Sequence, residues 1–157
     1  MRIRRIRTGD ESALRHIYFS AIHGIASRDY TPDQIDAWAP QDFDAELWAE
    51  KVRKINPFLV EDGDRIVGYA DVQPSGYIHH FFVSGAHPRR GIGTMLMDRI
   101  HEEARKLCLT ELTADVSRTA EPFFVRYGFC VIERRFPVRS GVTIPNSLMK
   151  KELKHAG

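Results

Sequence analysis

Apolar positions along this chain recur at two spacings, and the switches between them mark out its elements. Residues 2–7 alternate Ile3 and Ile6 with arginines, the pattern of a short edge strand. After a turn and cap at Thr8-Gly9-Asp10, the residues Leu14, Ile17, Tyr18, Ala21, Ile22 and Ile25 fall at helical spacing. Thr31-Pro32-Asp33-Gln34 is a capping box with Pro at the first helical position, which predicts a short helix to about Trp38, ended by Pro40. A third helix is expected from Phe43 to Lys54, with Leu47, Trp48 and Val52 on its inner face.

Strand signals follow. Phe58 to Glu61 runs into a turn at Asp62-Gly63-Asp64, and Arg65 to Val72 returns as the hairpin partner. Beyond the turn at Gln73-Pro74-Ser75-Gly76, Tyr77 to Val83 is predicted as one strand. A helix is expected from about Gly91 to Leu107, then a strand from Leu109 to Val116 and a short helix over 120–127. The final strands run from Phe129 to Arg134 and from Val142 to Leu153, joined across Pro137 to Gly141. This order predicts an α+β fold: a mixed, mostly antiparallel central sheet with helices on both faces.

Composition narrows the classes. The 157 residues are expected to form a single domain spanning 1–157, with 43% apolar and 28% charged residues and no disordered bias. A net charge of only +2 gives no indication of a general affinity for nucleic acid, and no nucleic-acid partner is expected. No run approaches membrane-spanning length and the N-terminus lacks the apolar segment of a secretory signal, so a cytoplasmic protein with no membrane partner is expected. Cys108 and Cys130 read as two buried free thiols of a reduced compartment. Seven histidines are present, yet none has zinc-site spacing, and no metal is expected.

Candidate chemistry concentrates between Val83 and Met97. An apolar strand, a basic glycine-bearing turn and a helix start, with Ile92, Leu96 and Ile100 on one face, are the ingredients of an anion cradle. Gly91 and Gly93 let main chain approach a phosphate, and Arg89 and Arg90 neutralise its charge. The turn is no Walker A loop, which needs Lys followed by Ser or Thr. Nor is it a Rossmann fingerprint, which needs three spaced glycines. Taken alone, it is also readable as a solvated turn before an amphipathic helix.

Arg-Arg-Gly-Ile-Gly-Thr resembles the acyl-CoA loop of the GNAT acetyltransferase superfamily, with Val83 and Gly91 at that family's spacing. The family's leading Gln or Arg falls on Pro88, which has no N–H, so that pyrophosphate contact is missing or passes to Arg89. A second segment, Ser117 to Phe129, resembles the family's Asn-x-x-Ala-x-x-Phe-Tyr-x-x-x-Gly-Phe through Ala120, Phe123, Gly128 and Phe129. Ser117 stands where Asn often meets the cofactor arm. Phe124 stands where many members place a Tyr acid, and it has no hydroxyl.

The resemblance implies a sheet splayed at the strand before the loop. It implies acetyl-CoA as acyl donor and direct attack by a primary amine of a small molecule or peptide. The contacts implied for acetyl-CoA are the main chain of Phe81, Phe82 and Val83, then Arg89, Arg90, Gly91, Ile92, Gly93 and Thr94, and also Ser117 and Phe124. His79 is the candidate base, with a structural half-buried histidine as the other reading, since family bases fall on positions matching Tyr77 and His79, and strand alternation lets only one of His79 and His80 face a given pocket. Tyr127, three residues past Phe124, is the candidate acid, with a packed core tyrosine as the other reading. Tyr30, Trp38, Trp48 and Tyr77 are candidates to line the acceptor pocket, with simple core packing as the other reading, and Asp33, Asp36, Glu61 and Asp71 to hold a cationic acceptor, with solvated surface charge as the other reading. A GNAT-fold module that binds acyl-CoA with little catalysis stays open as the alternative, as do monomer and homodimer.

Overall fold

Successive strand residues face opposite sides of a sheet, and this chain uses both sides. The structure, a computed structural model, describes residues 1–86 and 91–154. Strand β1 (Arg2–Arg5) is followed by helices α1 (Glu11–Gly24), α2 (Pro32–Trp38) and α3 (Ala45–Ile55), with a 3₁₀ turn at Ala26–Arg28. Strands β2 (Phe58–Asp62), β3 (Arg65–Ala70), β4 (Tyr77–Ile78) and β5 (Phe81–Val83) lead to helix α4 (Ile92–Lys106). Then come β6 (Glu111–Ser117), α5 (Glu121–Arg126), β7 (Cys130–Arg135), β8 (Val138–Arg139), β9 (Val142–Thr143) and β10 (Asn146–Glu152). Leu59 and Tyr69 turn toward α1, α2 and α3, where they pack with Leu14, Ile17, Ile35 and Trp48. Phe58, Val60 and Ala70 turn the other way, onto Ile92, Leu96 and Ile100 of α4. Helices therefore cover both faces, as the periodicity predicts, and the Thr31–Gln34 capping box closes reciprocally.

The central sheet is two sheets. One has the order β1-β2-β3-β5 and is antiparallel throughout. The other has the order β4-β6-β10-β7, with β4 and β6 parallel and the remaining pairs antiparallel. The predicted connection Pro137–Gly141 holds β8, and the strand predicted from Val142 to Leu153 is corrected to two, β9, which pairs with β8, and β10.

The strand predicted from Tyr77 to Val83 is thus corrected to two short strands in different sheets, and the cause is visible. Asp71, fully buried, accepts the N–H of His79 at 3.0 Å and the N–H of His80 at 2.6 Å on one carboxylate oxygen. Its other oxygen accepts from Gln73 at 2.7 Å. Two successive amides drawn to one atom cannot alternate sides as a ladder demands, so the strand turns out of one sheet and into the other.

Two smaller expectations also fail. Leu47 lies on the outer face of α3 and is 63% exposed, and Ile55 joins Trp48 and Val52 on the buried face instead. Cys108 and Cys130 are exposed rather than buried: the first sits in the left-handed turn after α4 at φ 55°, and the second opens β7 at the sheet edge. Among the described residues no helix is long and apolar enough to cross a membrane.

Asp71→Ala strands two adjacent main-chain N–H groups, and a stranded buried donor costs about 1–3 kcal/mol. The substitution should lower urea-unfolding stability by about 2–4 kcal/mol. A loss below ~1 kcal/mol would show that the strand break does not depend on this carboxylate.

Candidate active site

The break leaves β5 paired on one side only. Ser84 donates its N–H to the Val67 carbonyl at 2.8 Å, and antiparallel alternation then turns the amides of Phe82 and Ser84 toward β3. The amides of Phe81 and Val83 face the opposite, open side. There an apolar groove of about 250 Å³ runs between Phe81, Phe82 and Val83, the α1 residues Ala21 and Ile22, and Ala120 and Phe123. Thr119 lines it with a buried hydroxyl that has no hydrogen-bond partner among the described residues.

Helix α4 starts beside the groove. Gly91 holds the left-handed conformation at φ 77°, which a side chain resists, and nothing crowds its Cα. The first-turn amides of Ile92, Gly93 and Thr94 have no intrahelical acceptor, no side-chain cap is present among the described residues, and no acidic residue stands in that turn. The chain end of β5 is pinned to α1: the Gly85 N–H donates to Ser20 Oγ at 3.0 Å, and a Cβ there would lie 2.5 Å from the Ser20 carbonyl.

A wider cavity of about 420 Å³ opens on the other side of the break. A narrow cleft of about 60 Å³ between β5 and β6 joins it to the groove, and Trp38, Phe82 and Ser117 line all three spaces. Fifteen-residue α4, the β5 edge and the two cavities therefore converge where the sheets part.

His79 is exposed on the wide cavity, its ring edge-on to Tyr77 with centroids 4.6 Å apart. His80 lines the same cavity, contrary to the alternation argument, because the strand breaks between their neighbours. Ser117 accepts the Ala120 N–H at 3.1 Å. Phe124 is 3% exposed and walls the cleft among Phe81 and Phe129. Ile92 is core, and a Cβ on Gly93 would meet the Phe123 ring at 3.2 Å, so packing also fixes that glycine. The Tyr127 hydroxyl donates to Thr94 Oγ1 at 3.0 Å, at the start of α4, and Tyr127 lines none of the three cavities. Arg89 and Arg90, with Pro88, lie outside the described residues.

Tyr30, Trp38 and Tyr77 line the wide cavity, whereas Trp48 is core. Of the four acids expected there, Asp71 holds the break, Glu61 pairs with Arg4, and Asp33 and Asp36 are exposed away from the cavity. Its carboxylate is Asp115, which accepts from Tyr77 at 2.6 Å and from Arg135 at 3.0 Å. Period-two reading of β6 carries a signal for it, since Leu112, Ala114 and Val116 are buried and Asp115 shares the other face with Ser117. Lys51 and Arg139, also on the cavity, come from segments with no motif.

Comparison with known proteins agrees with this arrangement. The acetyltransferase (GNAT) domain family matches residues 26–153. The chain is 32% identical to the uncharacterized N-acetyltransferase YafP of Escherichia coli K12, over 99% of this chain and 98% of that one. A GCN5-related N-acetyltransferase from Rhodopseudomonas palustris superposes with a TM-score of 0.92 at 24% identity, covering 97% of this chain and 95% of that chain. The PaiA N-acetyltransferase of Thermoplasma acidophilum, solved in complex with coenzyme A, superposes with a TM-score of 0.74 at 15% identity, covering 97% and 98%.

Electrostatics separate the two histidines. His80 is 6% exposed with Nδ1 2.9 Å from the Tyr69 hydroxyl, and burial first, then the Lys51 charge, push its pKa down to about 3. It stays neutral at neutral pH and is a poor proton acceptor there. The same burial pushes the Asp71 carboxyl up, against the hydrogen bonds that hold its charged form.

An unfolded histidine titrates near ~6.5, so the unfolded chain binds a proton that folded His80 refuses. That contribution to stability is complete above pH ~6.5 and is lost as pH falls toward 3, by up to ~1.4 kcal/mol per unit. Asp71, raised, acts with opposite sign, and its contribution fades as pH rises. His80→Gln should therefore flatten the fall in urea midpoint between pH 6.5 and 4.5. Parallel curves for the variant and the parent would contradict a buried neutral His80.

Proposed function

This chain belongs to the GNAT acetyltransferase family, and on that premise we propose that it transfers the acetyl group of acetyl-CoA to the primary amine of a small molecule. The observation that carries the reading is the meeting of three features at one sheet break: an uncapped helix start, an apolar groove along a free strand edge, and a separate polar cavity.

Acetyl-CoA supplies an acetyl group activated as a thioester, whose carbonyl carbon the amine nitrogen attacks and whose C–S bond then breaks. The amides of residues 92–94 hold a diphosphate by the same donors that suit any anion at a helix start. The outward amides of Phe81 and Val83 pair with the pantetheine arm as a neighbouring strand would, and one of them faces the developing oxyanion. Phe123 and Ala120 exclude water from the arm, and the free Thr119 hydroxyl offers it one polar contact.

His79 takes the proton from the attacking amine, directly or through one water. Its exposure on the wide cavity supports that role over His80, which burial keeps neutral and tied to Tyr69. Phe124 offers no proton to the departing sulfur. Tyr127, engaged at Thr94, is better placed for the phosphate end of the ligand than for the thioester. A thiol of reference pKa near ~8.5 leaves without a dedicated acid.

A panel of amines with acetyl-CoA, followed by thiol release, tests the transfer; CoA binding with no release from any amine would favour a sensor module instead. In the same assay, His79→Ala should cut kcat by about 10²-fold at pH 7 and less at pH 9, where more amine is already neutral. An unchanged pH profile would assign the proton to another group.

A further inference from the structure

We infer that the acceptor is a small amine that also carries an anionic group, a carboxylate or phosphonate oxyanion, held by Lys51 and Arg139 in the wide cavity. This rests on the acceptor role proposed for that cavity and names the class of molecule it takes.

Among the described residues, three cationic side chains and one carboxylate face this space: Lys51 of α3, Arg135 of β7, Arg139 of β8 and Asp115 of β6. Arg135 is already matched, at 3.0 Å to Asp115 and 3.3 Å to Glu133. Lys51 and Arg139 have no carboxylate within ion-pair reach among the described residues. The polar contact of Arg139 is with the Tyr18 hydroxyl at 3.5 Å, which leaves most of its donors unused. Both side chains line the same cavity, and desolvation first, then the Arg139 charge, push the Lys51 pKa down. Lys51 and Arg139 are solvent-exposed on the cavity wall, and an anion that reaches both gains charge-assisted hydrogen bonds from each.

The same cavity offers acceptors for a cationic end. The side-chain oxygen of Asn146 is buried and unpartnered among the described residues, and Asp115 lies on the same wall of β6 as Ser117, next to the cleft. A molecule with an oxyanion on Lys51 and Arg139 and its amine toward Asp115, Asn146 and His79 satisfies both sets. Tyr30, Trp38 and Tyr77 supply flat walls for the carbon body between them. About 420 Å³ suits a molecule of amino-acid size.

The test is calorimetric titration of α- and ω-amino carboxylates, their methyl esters and decarboxylated amines, and one aminophosphonate, in parallel with thiol release from acetyl-CoA. At least one acid should bind tenfold or more tightly than its ester. Lys51→Met and Arg139→Gln should each erase that preference while CoA affinity stays unchanged. The aminophosphonate arm decides which oxyanion is preferred. Equal binding of acids and esters across the panel, or a preference that survives both substitutions, overturns the inference even if amines are acetylated. Acid preference without thiol release upholds the anion site and sinks the transfer reading.

Discussion

A single carboxylate oxygen, on Asp71, gathers the amides of two consecutive residues, and most of the site's shape descends from that contact. A carboxylate is one of the few groups that can satisfy two neighbouring main-chain donors at full strength inside a protein. Here it has no exposure to water, and its remaining oxygen is occupied by Gln73, so the arrangement has little freedom to relax. The geometric result is that Tyr77 and Ile78 join β6 while Phe81 to Val83 join β3. Continuous pairing would have sealed the space between the sheets. The break instead opens a cleft with a bare strand edge on one wall and Ala114 to Ser117 on the other.

The other parts are fixed relative to that edge by ordinary packing. Gly85 sits against the Ser20 carbonyl, so the chain leaving β5 has one available path along α1. Gly93 meets the Phe123 ring, which sets how near α5 approaches the first turn of α4. Ile92, Leu96 and Ile100 anchor α4 to β2 and β3 through the core, so its unpaired amides are aimed by the same sheet that supplies the free edge. The histidine pair then divides the work: His80 goes into the aromatic core with Tyr69, Tyr18 and Phe82, and His79 is left on the cavity.

Local patterns were readable in the chain and distant ones were not. The capping box at Thr31, the helix face of Ile92, Leu96 and Ile100, and the glycine turn all depend on residues within a few positions of each other. The family resemblance implied a splay at this strand, but the residues themselves hid where it breaks and why: Tyr77 to Val83 is uniformly apolar and aromatic apart from two histidines, and the cause lies at Asp71, in a segment that itself reads as strand. Lys51, Asp115 and Arg139 each look like surface charge in isolation. Only the fold brings α3, β6 and β8 around one cavity. The cysteines misled because apolar neighbours suggested burial, whereas Cys108 takes a left-handed turn position and Cys130 an edge.

The account stands on the open side of β5 receiving the acyl donor. Amide hydrogen exchange at Phe81 and Val83, with and without saturating acetyl-CoA, measures this directly, because those two N–H groups face away from β3. Slowed exchange at both, together with residues 92–94, is the predicted result. Exchange at Phe81 and Val83 that ignores the ligand, with protection appearing elsewhere in the chain, would contradict it.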